Sequence, residues 1–143
     1  MKIYYVSIIL LILIAGCTAS GPSFSPVSAH EPNKAIVYVY RPFDVVGSGL
    51  APKVYIDGVK YDPLKNKGYL VYFVEPGKRM LELRDAMWDE PMTIYPEFAP
   101  EKEYYFRLSF GSNFGGIKIG FGEIPKEYAL QEIKYTKRAI QQK

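Results

Sequence analysis

The side chains that usually carry out catalysis or hold metals are scarce in this chain of 143 residues. His30 is the only histidine. It lies in a Ser- and Pro-rich stretch that we expect to be solvated, so it is not expected to serve a catalytic triad or a metal. Cys17 is the only cysteine, which excludes an intramolecular disulfide and a cysteine-based zinc site. We therefore expect a protein that is not an enzyme and that holds no metal and no cofactor.

Carboxylates gather around the single tryptophan. Asp85 and Asp89 flank Trp88 in a segment that reads as a loop. An acidic loop with one indole is suited to bind a cation or a sugar, so these three residues form a candidate ligand loop. The alternative is a hairpin loop whose Trp88 packs over one end of the domain. The regular spacing of about six oxygen ligands that calcium requires is absent.

Tyrosine is the one unusual feature of the composition, with 13 residues in the chain. Five of the tyrosines fall on predicted strands opposite aliphatic positions: Tyr38, Tyr40, Tyr55, Tyr72 and Tyr105. If they share an outer face, that face is apolar with hydroxyl tips, which is typical of a contact surface. The alternative is that the C-terminal helix covers them or that they fill a second core layer. Arg41 and Arg107 are expected near this face, with Asp57 or Glu103 as their ionic partners.

The elements that must position these residues are mostly short strands. Runs of β-branched and aromatic residues, separated by turn signals, predict about seven strands between residues 35 and 119. Asp57-Gly58 predicts a hairpin turn, and Glu75-Pro76-Gly77-Lys78 predicts a type II turn. Spacing of three and four residues after Pro125 predicts a helix to about Thr136. The expected fold is mainly β, a small antiparallel β-sandwich with one C-terminal helix.

Within the strands, residues of Glu103–Phe110 alternate. Tyr104, Phe106, Leu108 and Phe110 are expected on one side, and Tyr105, Arg107 and Ser109 on the other. In the predicted helix, Tyr128 and Ile133 are expected to be the buried contacts. The glycine-rich segment 111–122 is interpreted as a kinked hairpin, because it lacks the features of a phosphate-binding loop.

The first residues have the pattern of a secretion signal. Lys2 is followed by an apolar run to Ala15, which is shorter than the roughly 20 residues of a membrane-spanning helix. Ile14-Ala15-Gly16-Cys17 then resembles the lipobox of bacterial lipoproteins, in which the cysteine receives a diacylglycerol. The resemblance implies that residues 1–16 are removed and that Cys17 carries a lipid. Several acyl chains would hold the protein on a membrane permanently.

Behind Cys17, residues up to Asn33 are rich in Ser, Pro, Ala and Gly and predict a flexible tether. The domain is therefore expected at 34–143. Thr18 stands where Asp commonly retains a lipoprotein at the inner membrane, so an outer membrane location facing the periplasm is favoured. A net charge of +3, with the basic residues dispersed among acidic ones, argues against nucleic acid as a partner.

Several motifs resemble those of known families. Val37 to Pro42 (Val-Tyr-Val-Tyr-Arg-Pro), Val54 to Gly58 (Val-Tyr-Ile-Asp-Gly) and Glu103 to Arg107 (Glu-Tyr-Tyr-Phe-Arg) follow the lipobox in order. This resembles a family of short bacterial lipoproteins classed as a domain of unknown function. The chain is also similar to β-sandwich modules with a Pro-Glu-Gly-Ala type motif. These resemblances imply the fold and the membrane location, and no functional residue is transferred.

The function expected from the sequence is a membrane-anchored accessory module of the bacterial cell envelope. It would be held by the lipid on Cys17, would catalyse no reaction, and would contact another envelope protein. The alternative is a lipoprotein that binds a small ligand or a glycan through Trp88 and the acidic loop. A hydrolase that uses only carboxylates is the third hypothesis.

Overall fold

A computed structural model describes residues 18–28 and 31–139 of the chain. Cys17, the preceding signal and His30 lie outside the described residues, so their predicted roles stay predictions. Within the described ranges, no helix is long and apolar enough to cross a membrane.

The described residues form eleven strands and one helix. In chain order they are β1 (Ala35–Arg41), β2 (Lys53–Ile56), β3 (Val59–Pro63), β4 (Gly68–Val74), β5 (Gly77–Lys78), β6 (Leu81–Arg84), β7 (Met92–Ile94), β8 (Glu97–Phe98), β9 (Glu103–Asn113), β10 (Gly116–Glu123), α1 (Lys126–Ile133) and β11 (Lys137–Arg138). The predicted mainly β fold with one C-terminal helix is confirmed. The additional strands are the two-residue pieces β5, β8 and β11, which are too short to produce an alternation of their own.

Two sheets account for most of the strands. The first sheet has the order β10-β9-β1-β4-β11, and the second has the order β3-β2-β6-β7. Most neighbours are antiparallel, as predicted, but β1 pairs parallel with β9, and β4 pairs parallel with β11. Parallel strands need a long connection between them. The chain between β1 and β9 is long enough, because it forms the second sheet before it returns.

The two sheets face each other across an apolar core of aliphatic and phenylalanine side chains, and this packing confirms the sandwich. We call it the aliphatic core. Its buried residues include Val37, Val39, Leu70, Phe106 and Leu108 from the first sheet and Val54, Ile56, Leu81 and Leu83 from the second. The predicted alternation of β9 is confirmed, because Phe106 faces this core and Tyr105 faces away from it.

A second buried cluster lies on the opposite face of the first sheet. It consists of Ile36, Tyr38, Tyr40, Tyr69 and Tyr105 from the sheet, with Ala129 and Ile133 from the helix. We call it the tyrosine layer. β1 has seven consecutive buried residues because successive side chains enter the aliphatic core and the tyrosine layer in turn.

The segment before β1 is not the flexible tether that its composition predicts. Ala19 is only 3% exposed, and its amide donates to the carbonyl of Asn66 at 2.9 Å. Phe24 packs edge-on against Tyr38 and Tyr69, with ring centroids 5.7 and 5.2 Å away. Residues 18–28 therefore lie along the domain, because backbone bonds and one aromatic side chain compensate for their low hydrophobic content.

Helix α1 begins one residue after Pro125, and its first amides donate to the Pro125 carbonyl. It ends at Ile133, three residues before the predicted end. Ala129 and Ile133 are its buried residues, so the prediction for Ile133 is confirmed. Tyr128 is 62% exposed, and its predicted burial is wrong. One residue rotates a helical position by about 100°, which carries Tyr128 off the face that Ala129 and Ile133 define.

Candidate binding groove

A groove runs along helix α1, where the helix lies over the first sheet. Its first part has a volume of about 410 Å³ and is lined by Arg107, Ile124, Pro125, Tyr128, Gln131 and Glu132. Its second part has a volume of about 310 Å³ and is lined by Pro42, Phe43, Lys67, Gln131, Glu132, Tyr135 and Thr136. The two parts share Gln131 and Glu132, so we treat them as one feature, the α1 groove.

The helix positions the groove through its buried residues. Ala129 and Ile133 are four residues apart and hold one side of α1 against the tyrosine layer. Tyr128, Gln131 and Glu132 consequently lie at the sides of the helix, where they line the groove. The sequence pattern identifies the helix but does not show which flanking element completes the groove.

Glu132 joins the helix to the sheet. Its Oε2 accepts a hydrogen bond of 2.8 Å from the hydroxyl of Tyr40. The same oxygen lies 2.9 Å from Nε of Arg107. This second contact is an ion pair rather than a hydrogen bond, because Nε of Arg107 has no acceptor in suitable geometry. The carboxylate side chain is 37% exposed, so Glu132 remains accessible from the groove.

Tyr40 is a fixed hydrogen-bond donor at this point. Burial raises the pKa of its hydroxyl well above the ordinary value, and the hydrogen bond to Glu132 raises it further. Tyr40 is therefore protonated at physiological pH and donates to the carboxylate rather than competing with it for a proton. The groove thus presents an anchored carboxylate and a guanidinium side by side.

Aromatic side chains form the rim of the groove. Tyr128, Tyr135 and Phe43 are 62%, 67% and 60% exposed. Each lines the first or the second part. Exposed aromatics beside a few polar groups are typical of surfaces that bind another molecule.

The predicted contact face of tyrosines is wrong for three of its five members. Tyr38 and Tyr40 are 0% exposed and Tyr105 is 1% exposed. Helix α1 and the segment around Phe24 cover them, which is the alternative that the sequence left open. Tyr38 and Tyr105 stack on each other, with ring centroids 4.8 Å apart. These rings hold the fold together and present no surface to a partner.

The other two members lie elsewhere. Tyr72 pairs with Val37 across β4 and β1 and packs on the aliphatic core. Burial raises the pKa of its hydroxyl, which has no hydrogen-bond partner within the described part of the chain. Tyr55 lies in the second sheet, half-buried, with the Arg84 guanidinium 4.2 Å from its ring centroid. The five tyrosines therefore do not form one surface.

The candidate ligand loop keeps part of its tryptophan side chain packed against the core. Trp88 is half-buried against the aliphatic core and lies 6.5 Å from Phe110 between ring centroids. Its indole nitrogen is buried and finds no hydrogen-bond acceptor among residues 18–28 and 31–139. Asp85 accepts from the amide of Met87 and so stabilises the loop itself, while Asp89 is exposed. Trp88 therefore gives part of its ring to the core rather than to a ligand surface.

Arg41 has a structural role that the sequence did not reveal. Its guanidinium is fully buried and donates to the carbonyls of Leu50 and Gly47 at 2.8 and 2.7 Å. It also lies 4.3 Å from the centroid of the Phe110 ring, and burial lowers its pKa. Gly47 has a φ of 70°, and a Cβ there would lie 2.7 Å from Phe110. Arg41 therefore holds loop 43–50 closed over the end of the sandwich.

The predicted ionic partners of the two arginines are also wrong. Asp57 pairs with Arg79 at 3.2 Å, and Glu103 pairs with Lys126. Arg107 pairs with Glu132, which the sequence had placed only in the helical pattern. Ion pairs between distant segments depend on the sheet register, so sequence proximity is a poor guide to them.

Among residues 18–28 and 31–139, no three His, Cys, Asp or Glu side chains come together in a group that could hold a metal ion. Cys17 lies outside these ranges, and its lipidation is not tested by the structure. The sequence reasoning missed the α1 groove as a site. The signal that indicates it is the pair Gln131-Glu132 between two tyrosines seven residues apart, Tyr128 and Tyr135.

The comparison with protein families finds one match. The model of a family described as "Protein of unknown function (DUF2846)" matches residues 31–118, which is more than half of the chain. The matched range contains the strands of both sheets from β1 to the first three residues of β10, and it ends before α1. No curated protein matches the chain.

Proposed function

We propose that this chain, which belongs to the DUF2846 family of proteins of unknown function, is a membrane-anchored lipoprotein of the bacterial cell envelope. It binds another envelope protein through the α1 groove and catalyses no reaction. The anchor and the location are supported by the basic start, the apolar run and the Ile-Ala-Gly-Cys sequence that ends at Cys17. Thr18 favours the outer membrane, with the domain facing the periplasm.

The observation that carries the binding role is the composition of the α1 groove. Its first part has the exposed Tyr128 beside the paired Glu132 and Arg107. Tyrosine and arginine are the residues that most often dominate the binding energy of protein interfaces. The groove is open along the helix, which suits an extended protein segment with one apolar anchor side chain.

The same groups argue against catalysis. Glu132 is the one carboxylate that lines either part of the groove. It is already engaged by Tyr40 and Arg107. A general acid–base pair needs a second titratable group at the same centre. Tyr40 does not provide one, because it is fully buried and its hydroxyl already donates to Glu132.

The anchor is tested by mass spectrometry of the mature protein and of a Cys17→Ala variant. We expect cofractionation of the lipidated protein with outer membranes and a diacylglycerol thioether on Cys17, and the thioether is lost in the variant because no other thiol exists. A mature chain that begins after residue 17, or that carries an unmodified Cys17, contradicts the anchor.

The groove is tested by a photo-crosslinking amino acid at Gln131 in intact cells. The matched control carries it at Lys60, an exposed position of β3 in the second sheet. We expect one reproducible protein adduct from position 131 and none of that mass from position 60. The same adduct from both positions, or none from position 131, overturns the proposal.

A substitution measures how much one exposed aromatic side chain of the groove contributes to partner binding. Tyr128→Ala removes an exposed aromatic side chain from the rim and is expected to weaken partner binding on the order of 30-fold, as for an interface hot spot of about 2 kcal/mol. Tyr95→Ala is the control, because Tyr95 is similarly exposed at 61% and lies after β7 of the second sheet. Equal affinity of the two variants for the crosslinked partner would exclude the groove.

A further inference from the structure

The chain enters the domain one residue after Cys17. Thr18 forms a parallel bridge with Asn66, and the amide of Ala19 donates to the carbonyl of Asn66. Asn66 is 1% exposed, and its side chain exchanges two hydrogen bonds with the backbone of Asp44. The entry point is therefore fixed to the turn before β4.

This attachment limits the distance between domain and anchor. Cys17 is bonded to Thr18, so an acyl chain on Cys17 begins one residue from the contact with Asn66. Residues 18–28 pack on the domain and provide no free length between the anchor and the fold. The surface around Asn66 is consequently the part of the domain closest to any membrane that holds Cys17.

That surface is strongly basic. The segments 63–68 and 134–139 contain five basic residues and no carboxylate. β11 brings the two segments together, because Lys137 pairs with Gly68 and its amide donates to the carbonyl of Lys67 at 3.0 Å. We call the set the anchor-side basic surface; it consists of Lys65, Lys67, Lys134, Lys137 and Arg138.

These basic groups are not neutralised by carboxylates of the described part of the chain. None of the five forms an ion pair there. The nearby Asp44 accepts from the amide of Phe110, and Glu132 is engaged by Arg107. Asp62 is the exposed carboxylate at the edge of this region. The surface thus keeps a net positive charge.

Two exposed aromatic residues complete it. Phe43 and Tyr135 line the second part of the α1 groove together with Lys67. Aromatic and basic residues side by side are typical of surfaces at the headgroup level of a membrane, where rings enter the interface and cations meet phosphates.

We infer that the anchor-side basic surface rests on the anionic phospholipids of the bilayer that holds Cys17. This inference depends on the proposed lipidation and adds an orientation to it. The domain lies against the membrane instead of standing off on a tether. Phe43, Lys67 and Tyr135 line only the second part of the groove, so the partner site in this orientation is the first part, at Tyr128.

The test uses the mature lipidated protein in vesicles of phosphatidylcholine alone or with one-third phosphatidylglycerol. Lysines are acetylated with a membrane-impermeant reagent and read by peptide mass spectrometry. We expect Lys65, Lys67 and Lys137 to react roughly fivefold more slowly in the anionic vesicles. Lys53 and Lys60, on the second sheet, should react equally in both. High salt should remove the protection, because it screens exposed charges.

A charge-reversal pair sharpens the result. Lys65→Glu with Lys137→Glu should abolish the protection of Lys67, whereas the matched control Lys53→Glu with Lys60→Glu should leave it intact. Equal labelling of Lys67 in neutral and anionic vesicles overturns the inference. Protection that occurs only in intact envelopes and yields a protein crosslink at Lys67 also overturns it, because the surface would then be a protein interface.

The mass of Cys17 is measured on the same samples, so the two proposals fail separately. An unmodified Cys17 contradicts the anchor. The unlipidated chain then tests the surface by itself, through sedimentation with anionic but not with neutral vesicles. A lipidated chain without selective protection contradicts the orientation and leaves the anchor standing.

Discussion

The two faces of the first sheet bury the same strand in different ways. Val37 and Val39 of β1 face the aliphatic core between the sheets, whereas Tyr38 and Tyr40 face the tyrosine layer under helix α1. All four residues are 0% exposed. The aliphatic core joins one sheet to the other, and the tyrosine layer joins the sheet to a helix and to the N-terminal segment.

The difference lies in the hydroxyl groups. In the tyrosine layer, the Tyr38 hydroxyl accepts from the amide of Val27, and the Tyr40 hydroxyl donates to Glu132. The rings of Tyr38 and Tyr40 are buried, and their hydroxyls form hydrogen bonds to the segments that cover the rings. In the aliphatic core, Phe106 and Leu108 make no such bonds because they have no polar atoms. On β1, Val37 and Val39 thus contribute burial without directional bonds, while Tyr38 and Tyr40 also determine which segments are held and where.

The largest expected difference in the free energy of unfolding is between substitutions at two neighbouring residues of β9 that lie on opposite faces of the sheet. Phe106→Ala leaves a cavity in the aliphatic core and should lower the free energy of unfolding by about 3–5 kcal/mol. Tyr105→Phe, on the tyrosine layer, keeps the ring and removes only the hydroxyl that donates to Glu103 at 3.2 Å, for about 0.5–1.5 kcal/mol. Denaturant unfolding of both variants measures this. Comparable losses would show that the two faces are not distinct.

The next effect is a loss of stability at alkaline pH. Burial raises the pKa of Tyr38, Tyr40 and Tyr105 above the ordinary 10.0. The folded state thus retains protons that the unfolded state releases, so this stabilisation is full below pH 10 and is lost as the pH rises through the folded-state values. Each group contributes at most about 1.4 kcal/mol per pH unit above 10.

Thermal unfolding between pH 8 and 11 measures this slope. The variant with all three tyrosines changed to Phe should lose stability less steeply above pH 10 than the unchanged protein, because it lacks the three phenols. An identical slope would place the alkaline transition outside the tyrosine layer, for example at Tyr72, whose pKa burial also raises.

The smallest effect is local. Tyr38→Phe removes the acceptor of the Val27 amide, which lies 3.0 Å from the hydroxyl, and should lower global stability by about 1 kcal/mol. Hydrogen exchange at Val27 should accelerate far more than exchange in β9, because the Tyr38 hydroxyl is the acceptor that protects this amide. Uniform acceleration through the domain would mean that the segment and the sheet open together.

The strands and turns could be predicted from the sequence because their signals are local. Asp57 and Gly58 both have positive φ, as the predicted hairpin turn requires. Gly77, the third residue of the predicted type II turn, has a φ of 101°. The alternation of β9 assigned Phe106 and Tyr105 to opposite faces correctly.

The predicted site failed at the points where burial depends on distant segments. Alternation places Tyr38, Tyr40 and Tyr105 on one face, but it does not show that α1 and Phe24 cover that face. Likewise, Trp88 packs near Phe110, a residue more than 20 positions away. The partner of Arg107 is Glu132 because the fold places α1 across β9.

The sequence by itself determined the mainly β class, the turns and the helix, because each depends on neighbouring residues or on a continuous pattern. The lipid attachment at Cys17 stays a prediction from a pattern of the same kind. Only the tertiary structure decided that the tyrosines are buried, that residues 18–28 lie on the domain, and that a groove opens beside α1. These features depend on which surfaces meet, and that is set by the joint burial of apolar area from segments far apart in the chain.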